Sequence, residues 1–256
     1  MIPRAVFDYE AAPKESVTCN LCRAKQGFRL EAERDRYGYP QHCVRCSVCD
    51  LVFLSPRLTK DAYTEFYRNV YRPLVSAYHG REISPRTMEP EQFLYAVRLE
   101  RFLRTQVGQP ATILDVGGST GVVARHLKNT FRCLATVLDP APDEIAHAAT
   151  DLEVIPGLIE DYDPKGRAWD LVVLCQTVDH LLDITGTLKK LRDCISLGGF
   201  LFVDILDYDQ TKQTKVDHPY NLTRATMEAY FQLCGYRVVA EADAKDRHVN
   251  YLVRVV

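Results

Sequence analysis

From residue 111 to the C-terminus the chain alternates between two hydrophobic rhythms. Short, nearly unbroken aliphatic runs occur at 112–116 (TILDV), 133–139 (CLATVLD), 153–155 (EVI), 169–174 (WDLVVL) and 197–207 (LGGFLFVDILD). Between them apolar residues return every three or four positions, as in VVARHLKN at 122–129. A strand that is apolar at successive positions is buried on both faces, and helical segments between such strands make parallel crossovers. The last two runs, YRVVAEAD and HVNYLVRVV, are joined around 244–247 and read as an antiparallel hairpin. The pattern predicts an α/β fold with a doubly wound sheet of seven strands.

Residues 57–110 have the helical rhythm alone. Tyr63, Phe66, Tyr67 and Tyr71 recur at i, i+3, i+4 and i+8, one face of an amphipathic helix. The stretch SPRTMEP at 84–90 interrupts the pattern, and a second helix follows with Tyr95, Ala96, Leu99, Phe102 and Leu103 on one face. Gly108, Gln109 and Pro110 end it before the first strand. Stripes of this kind ordinarily pack into a core. They would also serve to cap the carboxyl edge of the sheet, with Tyr67, Tyr71, Arg72, Tyr78 and His79 as contact candidates. The organisation predicted is a small appendage over 1–56, a helical cap or linker over 57–110, and the α/β domain over 111–256.

The bulk numbers narrow the function. At 256 residues and 46% hydrophobic, the chain can bury a full core. Net charge is −2, from 32 basic against 34 acidic residues, so the footprint of a nucleic-acid binder is missing. No apolar run reaches membrane-spanning length, and the first residues lack the apolar core of a signal peptide. A soluble, cytoplasmic protein is expected. Nine cysteines in a reducing compartment suggest metal ligands or buried thiols before disulfides.

The densest chemical signal is DVGGSTG at 115–121, between an apolar strand and a helix, with Asp139 ending the next strand. Glycines let the backbone turn and approach a ligand, the helix N-terminus offers N–H groups, and an acid at a strand tip can accept ribose hydroxyls. The spacing does not fit the nicotinamide pattern G-x-G-x-x-G. It resembles motif I of the class I S-adenosylmethionine (SAM) methyltransferases, Asp-x-Gly-x-Gly-x-Gly, with Ser119 at the middle glycine. GLIEDY at 157–162, QTVDHL at 176–181 and the Gly-Gly turn at 198–199 are similar to later landmarks of that family. The resemblance covers roughly residues 90–256 and implies a seven-stranded Rossmann-like sheet with SAM as cofactor. It implies that Asp115, Gly117, Gly118, Ser119 and Gly121 hold the methionine end and Asp139 the ribose. Glu160 would border the adenine, while Cys175 and Gln176 would lie beside the methyl group.

Five cysteines lie within the first 49 residues: Cys19 and Cys22 in TCNLC, and Cys43, Cys46 and Cys49 in HCVRCSVC. A C-x2-C knuckle places two sulfurs on one ion, and two knuckles close a structural zinc site. The second knuckle reads equally as Cys43/Cys46 or Cys46/Cys49. The sequence after it, DLVFLSPRLTKDAYTEFYRNVYR, resembles the zinc-ribbon leader of methyltransferases acting on polysaccharides and nucleotide sugars. That resemblance implies Cys19, Cys22, Cys46 and Cys49 as ligands, with Asp50 where glycine is usual and Cys43 as a spare thiol. With four protein ligands the zinc would be structural.

The leader also implies the acceptor: a sugar, nucleotide sugar or related small polar metabolite. O-methylation is expected over C-methylation, because sugar C-methyltransferases with this leader carry a further C-terminal domain and the sequence stops at Val256. A hydroxyl acceptor benefits from a base. His218, in the polar 207–223 loop, is the expected base, with His180 orienting the pocket from beneath; Asp179 and Asp207 are the carboxylate alternatives. Two other functions share these features. Some ribosomal-RNA base methyltransferases pair a four-cysteine ribbon with this fold, and a SAM-binding protein that has lost transfer would retain the loop.

Overall fold

The computed structural model describes residues 7–256. Strands β6 (Thr112–Val116), β7 (Leu134–Asp139), β8 (Glu153–Pro156), β9 (Trp169–Leu174) and β10 (Ile195–Leu206) run parallel. The hairpin of β12 (Tyr236–Asp243) and β13 (His248–Val255) completes a sheet ordered β12-β13-β10-β9-β6-β7-β8, with β13 antiparallel to β10. Consecutive side chains on a strand point to opposite faces. Ile113 and Leu114 therefore enter different cores, as do Leu171 and Val172, and Phe202 and Val203. One core lies under α3 (Pro85–Arg104) and α4 (Val122–Phe131); the other under α6 (Ile184–Asp193) and α8 (Arg224–Cys234). The strand order reverses between β6 and β9, and the carboxyl ends on either side of that switch form the crevice where such sheets bind ligands.

The N-terminal segment is built into this body. Strands β2 (Phe28–Arg34), β3 (Pro40–Cys46) and β4 (Val52–Leu54) make an antiparallel sheet. Its fourth strand, β11 (Tyr220–Asn221), comes from the loop after β10, with Tyr220 opposite Phe53 and Asn221 opposite Val52. Asn20 of the first cysteine knuckle donates to Asp183 Oδ1 (2.8 Å) and accepts from the Thr185 N–H (3.0 Å) and Tyr230 hydroxyl (3.1 Å). Cys19, Cys46, Leu51 and Phe53 share a core with α6 and α8. A short pair, β1 (Lys14–Glu15) with β5 (Arg57–Leu58), closes the segment.

The cap contains α1 (Lys60–Asn69), α2 (Tyr71–His79) and α3. Tyr63 and Phe66 are buried, as the aromatic stripe predicts. The 84–90 stretch departs from expectation, because α3 runs through it from Pro85. Ser84 caps the helix with Thr87, whose Oγ1 accepts from the Ser84 N–H at 2.9 Å. Pro85 occupies a first-turn position that needs no N–H donor, and the exposed Pro90 interrupts the ladder only locally.

Candidate active site

One side of the crevice is built by the loop between β6 and α4. Gly117 (φ 71°), Ser119 (φ 51°) and Gly121 (φ 75°) are all left-handed, and Gly117 N–H reaches back to Leu138 O at 2.7 Å. A Cβ at Gly117 would meet Thr177 at 2.6 Å; one at Gly118 would lie 2.7 Å from the Asp115 carboxyl carbon. These two close approaches explain the glycines. Asp139 accepts from the Ser119 N–H (2.9 Å, Oδ2) and the Ala141 N–H (2.8 Å, Oδ1). Each oxygen keeps a second lone pair that could take a ribose hydroxyl. Burial lifts Asp139 to about 6, against the pull of those two donors. Burial, with Asp139 as neighbour, lifts Asp115 to about 7. Asp115 is wholly buried beneath the loop.

Ser119 is integrated where the motif has glycine. Its hydroxyl donates to Glu144 Oε2 at 2.6 Å, and Glu144 also receives Arg72 Nε of the cap at 2.8 Å. Thr120 Oγ1 donates to Gln92 Oε1 at 2.6 Å, bringing α3 to the same loop. Arg72 was named by the sequence; Glu144 and Gln92 were not, being polar residues on helices with no distinguishing pattern. Tyr78 and His79 end α2 on the surface, Tyr78 packed edge-on against Tyr37.

The other side of the crevice lies across Thr177. A short helical turn at Val178–His180 places Asp179 and His180 beside the loop carrying His218. His218 Nδ1 is 2.8 Å from Asp179 Oδ2, and its Nε2 is 3.0 Å from Lys215 Nζ and 3.5 Å from Asp217 Oδ2. The two imidazoles are edge to face, with centroids 4.5 Å apart. His180 Nδ1 lies 2.7 Å from the Tyr67 hydroxyl and 3.0 Å from Asp217 O. Tyr67 also donates to Asp217 O at 2.8 Å, so the cap and the loop meet here. Burial holds His218 below its ordinary value, to about 4, so the imidazole is neutral at physiological pH. The ribbon supports the same loop: Asp35 accepts from Val216 N–H at 3.0 Å while also receiving Tyr37 and Tyr39 N–H.

Other expected contacts have local partners. Glu160 accepts from Leu182 N–H at 2.9 Å, tying the loop after β8 to the loop after the Val178–His180 turn. Cys175 is pushed well above the ordinary thiol value by burial, which favours the protonated thiol. Gln176 is exposed with φ 54°. Asp207 accepts from Asp209 N–H (3.1 Å) as the cap of a short helix, α7 (Tyr208–Thr211). Sequence reading missed a pair on β10 and β13, where the buried Asp204 lies between Tyr95 OH (2.8 Å) and the half-buried His248 Nδ1 (2.7 Å). The signal was an aspartate inside the apolar run FLFVDIL.

In the ribbon, Cys19 and Cys49 sulfurs are 3.4 Å apart and those of Cys22 and Cys46 are 3.5 Å apart. All four thiols lie within 4.8 Å of one another. Tetrahedral zinc with bonds of about 2.3 Å sets its sulfurs about 3.8 Å apart, so the donor set fits that ion. Cys43 packs instead with Val52, Leu54 and Tyr208. Three positions along a strand reverse the face, which separates Cys43 from Cys46. Asp50 adopts the left-handed conformation (φ 60°) that its place after the knuckle demands.

A family model described as a methyltransferase domain matches residues 89–253. The chain belongs to this methyltransferase family. It is a SAM-dependent methyltransferase, and its fold is similar to that of solved methyltransferases. DesVI of Streptomyces venezuelae superposes with a TM-score of 0.55 at 16% identity, over 64% of this chain and 92% of that one. CalS10, a SAM-bound amino pentose methyltransferase from Micromonospora echinaspora, gives 0.54 at 16%, over 72% and 98%. A ubiquinone biosynthesis O-methyltransferase from Methylobacterium sp. (strain 4-46) is 31% identical over 98 residues, 36% of this methyltransferase and 39% of that relative. Among the described residues no helix is long and apolar enough to cross a membrane.

Proposed function

We propose that this methyltransferase transfers the methyl group of SAM to a hydroxyl of a sugar, nucleotide sugar or related small polar metabolite. The observation that carries the reading is the contact of Thr177 with Gly117, which sets the largely buried Asp179–His180–His218 cluster beside the donor loop. A methyl sulfonium supplies an electrophilic carbon with a neutral leaving group, so the chain's task is alignment of donor and acceptor and removal of the acceptor proton. Gly117, Gly118, Ser119 and Gly121 would hold the methionine end, Asp139 the ribose, and the loop at 158–161 the adenine. A polar cluster of two imidazoles, a phenol and two carboxylates matches the hydrogen-bonding demand of a polyol better than that of an apolar acceptor. The named substrate class of CalS10 points the same way.

The sequence makes His218 the base and His180 its support; the geometry favours the reverse. Both nitrogens of His218 are engaged, whereas His180 Nε2 carries no hydrogen bond among the described residues. We further propose that Cys19, Cys22, Cys46 and Cys49 hold one structural zinc. A net charge of −2 gives the RNA alternative no support. Incubation with isotopically labelled SAM and a panel of sugars and nucleotide sugars, read by mass spectrometry, tests the function. A product bearing the label on a sugar oxygen is expected; label appearing only on RNA bases would overturn the reading.

A further inference from the structure

Asp179, His180 and His218 each offer one ligand-type atom, and these atoms lie within 4.8 Å of one another. The 2.8 Å between Asp179 Oδ2 and His218 Nδ1 is near the separation of adjacent ligands in an octahedral site, about 3.0 Å for bonds of about 2.1 Å. His180 faces Tyr67 and the Asp217 carbonyl through Nδ1, so Nδ1 carries the ring proton and Nε2 the lone pair. A ligating histidine characteristically gives its other N–H to a carbonyl or carboxylate. Asp217 supplies both: its carbonyl faces His180 and its carboxylate lies 3.5 Å from His218 Nε2.

A second observation points to a missing positive partner. Asp179 Oδ1 and Asp217 Oδ1 are buried with no hydrogen-bond partner, and the two side chains are 8% and 1% exposed. Buried carboxylate oxygens without a donor are costly, and a native site supplies something for them. Two carboxylates here face one ammonium, Lys215, which lies at the ring nitrogen of His218 remote from Asp179.

We propose that Asp179, His180 and His218 form a second metal centre, for a divalent first-row cation such as Mn2+ or Fe2+, distinct from the four-cysteine site. Two imidazoles and one carboxylate on neighbouring positions leave open places for other ligands, and this hard and borderline donor set disfavours the thiolate-bound metals. In the loaded form His218 carries its proton on Nε2 and gives it to Asp217, with Lys215 turned aside. The inference rests on the proposed hydroxyl acceptor. With the cation bound, His180 is a ligand and water takes the place of the base: the cation polarises the hydroxyl oxygen, its proton passes to water, the oxygen–carbon bond forms, and the carbon–sulfur bond breaks with its electron pair left on sulfur.

The test is titration of zinc-loaded protein with Mn2+, following loss of the free-ion EPR signal, for the wild type, Asp179→Asn, His180→Gln and the surface control Asp209→Asn. One Mn2+ per chain is expected in the wild type and control, with affinity at least about tenfold weaker in both cluster variants. SAM calorimetry on the same samples reports whether each variant is folded. Absence of Mn2+ binding, or equal binding in a folded Asp179→Asn or His180→Gln protein, overturns the metal centre. No acceptor enters this measurement. It can therefore fail while sugar methylation is found, and it can succeed where no sugar is methylated.

Discussion

Thr177 lies directly over Gly117, so closely that a Cβ on the glycine would come within 2.6 Å of both Cγ2 and Oγ1 of the threonine. The 117–121 loop and the chain leading into the Val178–His180 turn are thus set in contact by a residue with no side chain. Gly117→Ala must strain a left-handed backbone and displace Thr177. We expect a loss of about 2 kcal/mol or more in urea unfolding and a measurable loss of SAM affinity by calorimetry. Wild-type values for both would show that the loop tolerates the added methyl group.

Asp139→Ala removes the acceptor at the tip of β7. SAM affinity should fall by about 1–3 kcal/mol, because ribose hydroxyls then lie against a site with no acceptor. Unchanged affinity would contradict the assignment of the ribose to this carboxylate. With Asp139 lifted to about 6, wild-type affinity should also weaken as pH drops below that value, and calorimetry between pH 5 and 8 reads the trend.

Asp115 makes stability depend on pH in the direction opposite to a salt-bridged acid. Its folded value, about 7, lies above the unfolded carboxylate value. The folded state therefore holds more protons in that window, and stability falls as pH rises, by at most about 1.4 kcal/mol per pH unit from this group. Asp115→Asn cannot ionise. Its stability relative to the wild type should increase between pH 5 and pH 8 in urea melts of the ligand-free protein; a flat difference would show that Asp115 is ionised throughout.

Cys46→Ser should abolish zinc binding and unravel the N-terminal sheet, since small ribbons fold on their metal. Cys43→Ser should keep one zinc per chain, with only the cost of a polar atom in its apolar pocket. Elemental analysis of Cys43→Ser beside Cys49→Ser decides; a metal-free Cys43→Ser protein with a zinc-loaded Cys49→Ser protein would exchange the knuckles.

His180→Ala and His218→Ala should each cut turnover about 10²–10⁴-fold while leaving SAM binding intact. Near-full turnover in both would mean that proximity alone drives transfer.

Much of this arrangement was legible because strands buried on both faces leave an unmistakable run of aliphatics, and because the donor loop needs glycine for steric reasons. The two cysteine knuckles were legible for a similar reason, since spacing along the chain is spacing around an ion. Legibility ended where contacts join distant segments. Glu144 and Gln92 read as ordinary helix-surface residues, yet they bind Ser119 and Thr120. Lys215 and Asp217 look like loop polarity, and only the fold reveals that they enclose His218. The 84–90 segment was misread because two prolines suggest a break, whereas a capped first turn accepts one and exposure lets the helix absorb the other.

The pairing of β11 with β4 has a consequence for how the protein is switched on. The segment 212–223, which carries His218, is anchored at its far end by a sheet whose other strands belong to the cysteine-bearing leader. Among the described residues, the 117–121 loop proposed to hold SAM pairs with no strand of that leader. Loss of the proposed zinc should therefore divide the two binding events, leaving the methyl donor able to dock while the place for its recipient dissolves. Such a protein would be a SAM binder without a reaction, so metal supply during folding would decide which one the cell obtains.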